Sequence, residues 1–199
     1  TDAGKTWKKM GLDATQHIAR IAIDPKNPDI VFVAAQGALF SKSTERGIYK
    51  SVDGGASWKK VLYIDDKTGC AELSMDMNNP SIIYAAMWEH GRLPWQVISG
   101  GPGSGLYKST DGGATWNTTG LTYLTSNYRK VTRILINPTD PNIIIASTNV
   151  GVYKSTNAGV SFTTAISSGT FFDLEFKPGD PTVVYASSYS SSGTGKIYY

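Results

Sequence analysis

The sequence predicts an all-β protein, a β-propeller of four-stranded antiparallel blades with about four blade equivalents in its 199 residues. Three recurring features predict it. An octet of the form Ser-x-Asp-x-Gly-x-(Ser/Thr)-(Trp/Phe) occurs at 51–58 and 109–116, more loosely at 155–162, and in part at 1–7. A Gly-(aliphatic)-Tyr-Lys run precedes each complete copy, at Gly47, Gly105 and Gly151. A Pro/Asn/Asp turn keeps phase with both, at 24–29, 76–81, 137–142 and 177–182.

Each period justifies the same series of elements. A β-branched run comes first (18–23, 71–75, 131–136, 171–176), then the Pro turn, then a second apolar run (30–34, 82–86, 143–146, 183–186). Pro, Asn and Asp between two such runs mark a turn. A variable loop leads to the Gly-x-Tyr strand, the octet reverses the chain, and a short fourth strand follows. Within the octet, Asp suits a turn because its carboxylate accepts backbone N–H groups two residues on. The second Gly takes positive φ without a Cβ clash, and Trp pins the turn with a large apolar surface. Blades are expected at about 18–61, 71–119, 130–165 and 171–199, the last completed by 1–10, within one domain over 1–199. Either strand 1–10 pairs with 195–199 and closes a ring, or the chain is a fragment or half of a larger propeller, paired as a homodimer or continued by further blades. A sandwich, the competing all-β fold, predicts no such recurrence.

The octets resemble the Asp-box, or BNR repeat, of sialidases, xyloglucan-type glycoside hydrolases and the sortilin (Vps10) propeller. The resemblance rests on Ser51, Asp53, Gly55 and Trp58, on Ser109, Asp111, Gly113 and Trp116, on Asn157 and Phe162 in the looser copy, and on Asp2 and Trp7 in the partial one. It implies a propeller whose Asp-boxes lie on the face opposite any active site, so these residues are expected to be structural. The portion before residue 117, with all five Trp, resembles BNR repeats of large bacterial proteins. The Ser/Thr-rich remainder resembles repeats of secreted proteins.

Composition narrows the function. A net charge of +3, spread without a basic run, argues against nucleic-acid binding. One cysteine, Cys70, excludes an internal disulfide framework. Apolar runs are strand-sized, so no membrane insertion is expected. No signal peptide is seen, and because the chain does not open on Met, removal of a leader is compatible with it. Two distant His and one Cys give no transition-metal site, and no cofactor is expected.

Chemistry is expected on the end opposite the octets, where the loops are long and varied. The longest, 87–104, holds Trp88, Glu89, His90, Arg92 and Trp95. Tyr63 and Asp65 lie nearby between blades, and Tyr128 and Arg129 stand before the third. Aromatic faces with a few polar groups suit a glycan or a protein segment. The alternative use of Trp88 and Trp95 is to anchor the loop. Glu89 with Asp65 or Asp66 is the one carboxylate pair to test for glycoside hydrolysis, which needs two carboxyls facing across a sugar. Arg20, Arg46, Arg92, Arg129 and Arg133 do not form the sialidase arginine pattern. Gly100–Gly105 lacks the Lys-Ser/Thr ending of a phosphate loop.

The functional expectation is a non-catalytic scaffold or binding module of a secreted, extracellular or periplasmic bacterial BNR-repeat protein, binding glycan or protein through the loop face. The alternatives are a fragment of a xyloglucanase- or sialidase-like glycoside hydrolase, and a repeat unit with an assembly role only.

Overall fold

The computed structural model describes residues 3–122, 129–189 and 193–199; Asp2 and Tyr128 lie outside the described residues. Among these residues there are strands and turns and no helix. β1 (Ile18–Ile23), β2 (Val31–Ala35), β3 (Gly47–Ser51) and β4 (Lys59–Leu62) form the first sheet in that order. β5 (Thr68–Met75), β6 (Ile83–Leu93), β8 (Gly105–Ser109) and β9 (Asn117–Thr118) form the second, with β7 (Gln96–Ser99) pairing only with β6. β10 (Val131–Ile136), β11 (Ile144–Thr148), β12 (Gly151–Ser155) and β13 (Thr163–Ile166) form the third. β14 (Thr170–Lys177), β15 (Asp180–Tyr189) and β16 (Gly195–Tyr198) form a three-stranded fourth. All pairings are antiparallel, and the inner strands β1, β5, β10 and β14 pack in succession, so the sheets are consecutive propeller blades.

Two expectations change. Much of the stretch 87–104 is a β-hairpin rather than a loop: β6 runs on to Leu93, turns at Pro94-Trp95 and returns as β7. The ring-closing pairing of 1–10 with 195–199 is not formed. β16 pairs with β15 alone, and residues 3–10 contain no strand, Met10 instead accepting a hydrogen bond from Trp58 Nε1 at 2.6 Å.

The core lies between blades. Phe32 and Ile48 of the first pack on Leu73 and Met75 of the second. Tyr84 and Leu106 of the second pack on Val131 and Ile134 of the third. Leu135 and Val152 of the third pack on Phe171 and Leu174 of the fourth. Every inner strand also carries a register shift at an equivalent site, at Ala19, Ala71, Thr132 and Phe172, and β14 has a second between Phe176 and Lys177. Such bulges re-aim the following side chain. Those side chains are Arg20, Glu72, Arg133 and Asp173.

The octets are hydrogen-bonded turns, and those of the second and third blades dock on the blade before. Ser109 Oγ accepts from Gly113 N at 2.8 Å and donates to Asp111 Oδ1 at 2.8 Å. Asp111 Oδ1 also accepts from Thr115 N at 2.9 Å. The carboxylate therefore caps a residue four positions on, and the serine hydroxyl takes the Gly113 N–H, two positions beyond Asp111, that the sequence assigns to Asp. The copy at Asp53 repeats this geometry, and at Asn157 the amide Nδ2 donates to Ser161 Oγ where Asp would accept. A Cβ on Gly113 would come within 2.7 Å of Phe32 in the first blade, so this octet needs Gly for contact as well as for its φ of +81°. Lys50 Nζ donates to Gly112 O at 2.7 Å, and Lys108 Nζ to Ala158 O at 3.0 Å, each tying one blade to the next octet.

Candidate functional site

The octets and Pro turns share one end of the molecule. The opposite end carries the 36–46 connection, the 63–67 connection and the β6–β7 hairpin. The hairpin lies against the 36–46 connection through Arg92 N, which donates to Leu39 O at 2.9 Å. Between them is a largely apolar cleft of about 270 Å³, lined by Leu39, Phe40, Arg46, His90, Leu93 and Ile98 among others.

Its floor is built around Arg46, whose side chain is fully buried. The guanidinium donates to Gln36 O at 2.8 Å, to Ser41 O at 3.1 Å and to Ala38 O, and Nη1 lies 3.2 Å from His90 Nδ1. Five donors on a rigid fork let one side chain organise the whole 36–46 connection. Burial lowers the Arg46 pKa, and the carboxylates of Asp65 and Asp66 oppose that change. His90 is buried too, and its pKa is pushed down to about 4, first by desolvation, with the nearby Arg46 charge acting in the same direction. It is therefore neutral at pH 7 and serves as a packing group.

Strand alternation sorts the predicted residues. Trp88 and His90 project to one side of β6 and stack, with ring centroids 4.5 Å apart, and Lys130 Nζ lies 4.2 Å from the Trp88 centroid. Trp88 is thus engaged within the protein as an anchor. Glu89 projects to the other side, beneath the Gly-rich segment. Its backbone N–H bonds Ser104 Oγ at 2.9 Å, and a Cβ on Gly101 would meet its carboxylate at 2.0 Å. Trp95 stands at the hairpin tip, 78% exposed and outside the cleft lining, and Phe40 in the cleft wall is 77% exposed. Arg92 is exposed beside them. Tyr63 carries Lys60 Nζ 5.0 Å from its ring centroid, and Arg129 lies 5.2 Å from the ring of Tyr153. Neither Tyr63 nor Arg129 lines the cleft.

The carboxylates named by the sequence beside Glu89 each have a partner of their own. Asp65 caps the turn into β5, accepting from Lys67 N at 2.9 Å and Thr68 N at 2.8 Å; desolvation pushes its pKa up, but the bonds to Lys67 and Thr68 together outweigh it and leave the pKa lowered. Asp66 pairs with Lys42 at 3.4 Å at the rim. The carboxyl that burial does push up is Glu72, which sequence reasoning did not single out. Desolvation raises its pKa while Arg20 and Arg133 pull it back. It sits on the inner strands, 2.8 Å from Arg20 and 3.5 Å from Arg133. Arg133 in turn lies 3.2 Å from Asp173 and 2.8 Å from Glu175. Arg20, Glu72 and Arg133 border a cavity of about 430 Å³ between β1, β5 and β10. The available signal was the common position of Arg20, Glu72, Arg133 and Asp173, four residues before Asp24, Asp76, Asn137 and Lys177 at the Pro turns.

No protein-family model matches the chain, and no curated protein matches it. Among solved structures it is similar to the GH74 enzyme of Niastella koreensis (TM-score 0.66, 21% identity, covering 93% of this chain and 28% of that one). It is similar also to the GH74 xyloglucanase of Xanthomonas campestris (TM-score 0.65, 18% identity, 90% and 28%). YCF48 of Cyanidioschyzon merolae is a third such structure (TM-score 0.63, 15% identity, 97% and 56%), and YCF48 also has a structure bound to D1 peptide. The chain spans about a quarter of the length of the GH74 enzymes and about half that of YCF48. At these identities the likeness shows a shared propeller fold.

Proposed function

We propose that this chain is a non-catalytic binding module of a secreted bacterial propeller protein, and that the hairpin cleft takes an apolar side chain of a protein segment. In this reading the octets are the Asp-boxes of a BNR-type, sortilin-like propeller and mark the end that does not bind. One observation carries the proposal: Phe40 stands exposed in the wall of a formed, largely apolar cleft whose floor is held by Arg46, and Trp95 stands exposed at the tip of the hairpin that supplies the other wall. Exposed aromatics beside a preformed hollow are what anchor residues of a partner require. The Arg46 Nη groups are already spent on backbone carbonyls and on His90, and the exposed cleft wall is largely apolar, which suits apolar rather than hydroxyl-rich ligands. YCF48, a protein of similar fold, is found bound to a peptide.

A glycan is the second reading, favoured by the free Trp95 ring, which offers a sugar-stacking face. A glycoside-hydrolase fragment is the third, favoured by the GH74 fold likeness alone. The experiment is a peptide-display selection run beside a glycan array and a polysaccharide hydrolysis screen, each repeated with Trp95→Ala and Phe40→Ser. The expected result is selection of peptides with an aromatic or aliphatic anchor, weakened at least about tenfold by either substitution, with the melting temperature unchanged because both side chains are exposed. Array binding lost with Trp95→Ala moves the reading to glycan. Hydrolysis abolished by Glu89→Gln overturns the non-catalytic reading.

A further inference from the structure

The two outer blades each expose a surface that every other blade boundary buries. On the leading face of each blade, two inner-strand residues pack on the blade before. Leu73 is 3% exposed, Ile134 1% and Leu174 1%, whereas the matching Ile21 of the first blade is 58% exposed, with Ile23 beside it at 52%. On the trailing face, the residue paired across from the second strand is buried at Ile48 (0%), Leu106 (1%) and Val152 (4%). The matching Ile197 of the fourth blade, paired with Ser187, is 79% exposed, and Tyr185, matching Phe32 and Tyr84, is 43% exposed.

Charge adds direction. The re-aimed inner-strand residues alternate in sign, Arg20, Glu72, Arg133, Asp173, and each neighbouring pair is bridged, at 2.8, 3.5 and 3.2 Å. An even number of alternating blades leaves an acidic trailing end and a basic leading end, which suit each other. An odd number would have set like charges together. The fourth octet supplies a third observation. Ala3 and Gly4 have φ of 55° and 82°, matching 54° and 85° at Ala158 and Gly159. Trp7 Nε1 donates to Gly4 O at 3.0 Å, as Trp116 Nε1 does to Gly113 O at 3.2 Å. Lys50 and Lys108 each hold the octet of the next blade, while Lys154, the third lysine of the series, is exposed.

We propose that the trailing face of the fourth blade receives the leading face of the first blade of a second copy, and that two copies joined head to tail close a ring of eight blades. Ile21 and Ile23 of the second copy cover Tyr185 and Ile197. Arg20 of the second copy meets Asp173 and Glu175, and the Ala3 carbonyl of the second copy accepts from Lys154. A head-to-tail interface presents two different patches, so it closes only if the rotation per copy completes the circle.

Sedimentation equilibrium of the whole chain between about 1 and 100 μM tests this. The expected species has twice the chain mass. Ile21→Asp and Ile197→Asp, both at exposed positions of the single chain, each weaken the dimer at least about tenfold with an unchanged circular-dichroism spectrum. Mixing the two variants restores a one-to-one species, because one chain keeps an intact leading face and the other an intact trailing face. A wild-type chain that stays monomeric overturns the proposal and assigns the faces to further blades of a longer polypeptide. A ladder of open polymers overturns ring closure, and a mixture that stays monomeric overturns the head-to-tail geometry.

Discussion

Asp111 shows how one side chain sets a turn. Its carboxylate takes a hydroxyl from Ser109, a hydroxyl from Thr115 and the backbone N–H of Thr115, and these bonds, Thr115 first, hold its pKa at about 2; Asp53 matches it, led by Ser57. Asp111→Ala removes all three bonds and is expected to lower the urea midpoint of unfolding measurably. Asp111→Asn is expected to lower it by well under half as much, because Asn157 already makes an equivalent turn with its amide turned to donate to Ser161. The sign with pH follows from the lowered values. The stabilisation by Asp53 and Asp111 is present above the ordinary carboxylate pKa near 3.8 and is lost as pH falls toward 2. The octet was legible in sequence because its spacing is local. The division of labour between Ser and Asp was not, since both are acceptors and only the geometry says which N–H each takes.

At the scale of elements, the strand phase, the Pro turns and the Gly-x-Tyr strands were legible, and the hairpin was not. Trp88 to Leu93 has little β-branched character, and Gly91 and Pro94 read as loop chemistry. Yet the pairing of Arg92 with Val97 and of His90 with Ser99 extends the second blade outward. Missing that alternation put Trp88 and Trp95 in one class, whereas pairing buries one in a stack and presents the other. The structural role of Arg46 was not legible because nothing in its neighbours marks a residue whose partners are backbone carbonyls. Its connection is specified instead by Gly37, at φ +77°, where a Cβ would lie 2.3 Å from Arg46 Cγ. Gly37→Ala is therefore expected to cost about 1–3 kcal/mol and to expose His90 and Trp88. The check is a red-shifted tryptophan emission before the global transition. The same element has its own pH signature. His90 is neutral in the fold with a pKa near 4, below the unfolded value near 6.5, so its contribution is whole above pH 6.5 and lost as pH falls toward 4. His90→Phe is expected to flatten the fall in melting temperature across that window.

The whole molecule is held as a chain of blades by apolar layers and by one charged ladder through its middle. Glu72 is the link that reaches both sides, 3% exposed between Arg20 of the first blade and Arg133 of the third. Its contribution is a balance, since burial disfavours the carboxylate while the two guanidinium groups favour it. Glu72→Gln keeps the shape and removes the charge, and its consequences are unequal. Arg133 retains Asp173 and Glu175, whereas the ion pair of Arg20 is with Glu72. With Arg20 and Arg133 both partly open to water, the loss falls between a surface and a buried pair, at about 1–3 kcal/mol. That loss should appear as a loosened boundary between the first and second blades rather than uniform weakening. Hydrogen exchange should then quicken in β1 and β2 ahead of β14 and β15, because the third and fourth blades keep their own ion pairs and the Phe171–Leu174 core. Equal acceleration in all four blades would mean that the ladder couples the molecule as one cooperative unit, and the stepwise picture of blade cohesion would have to be abandoned.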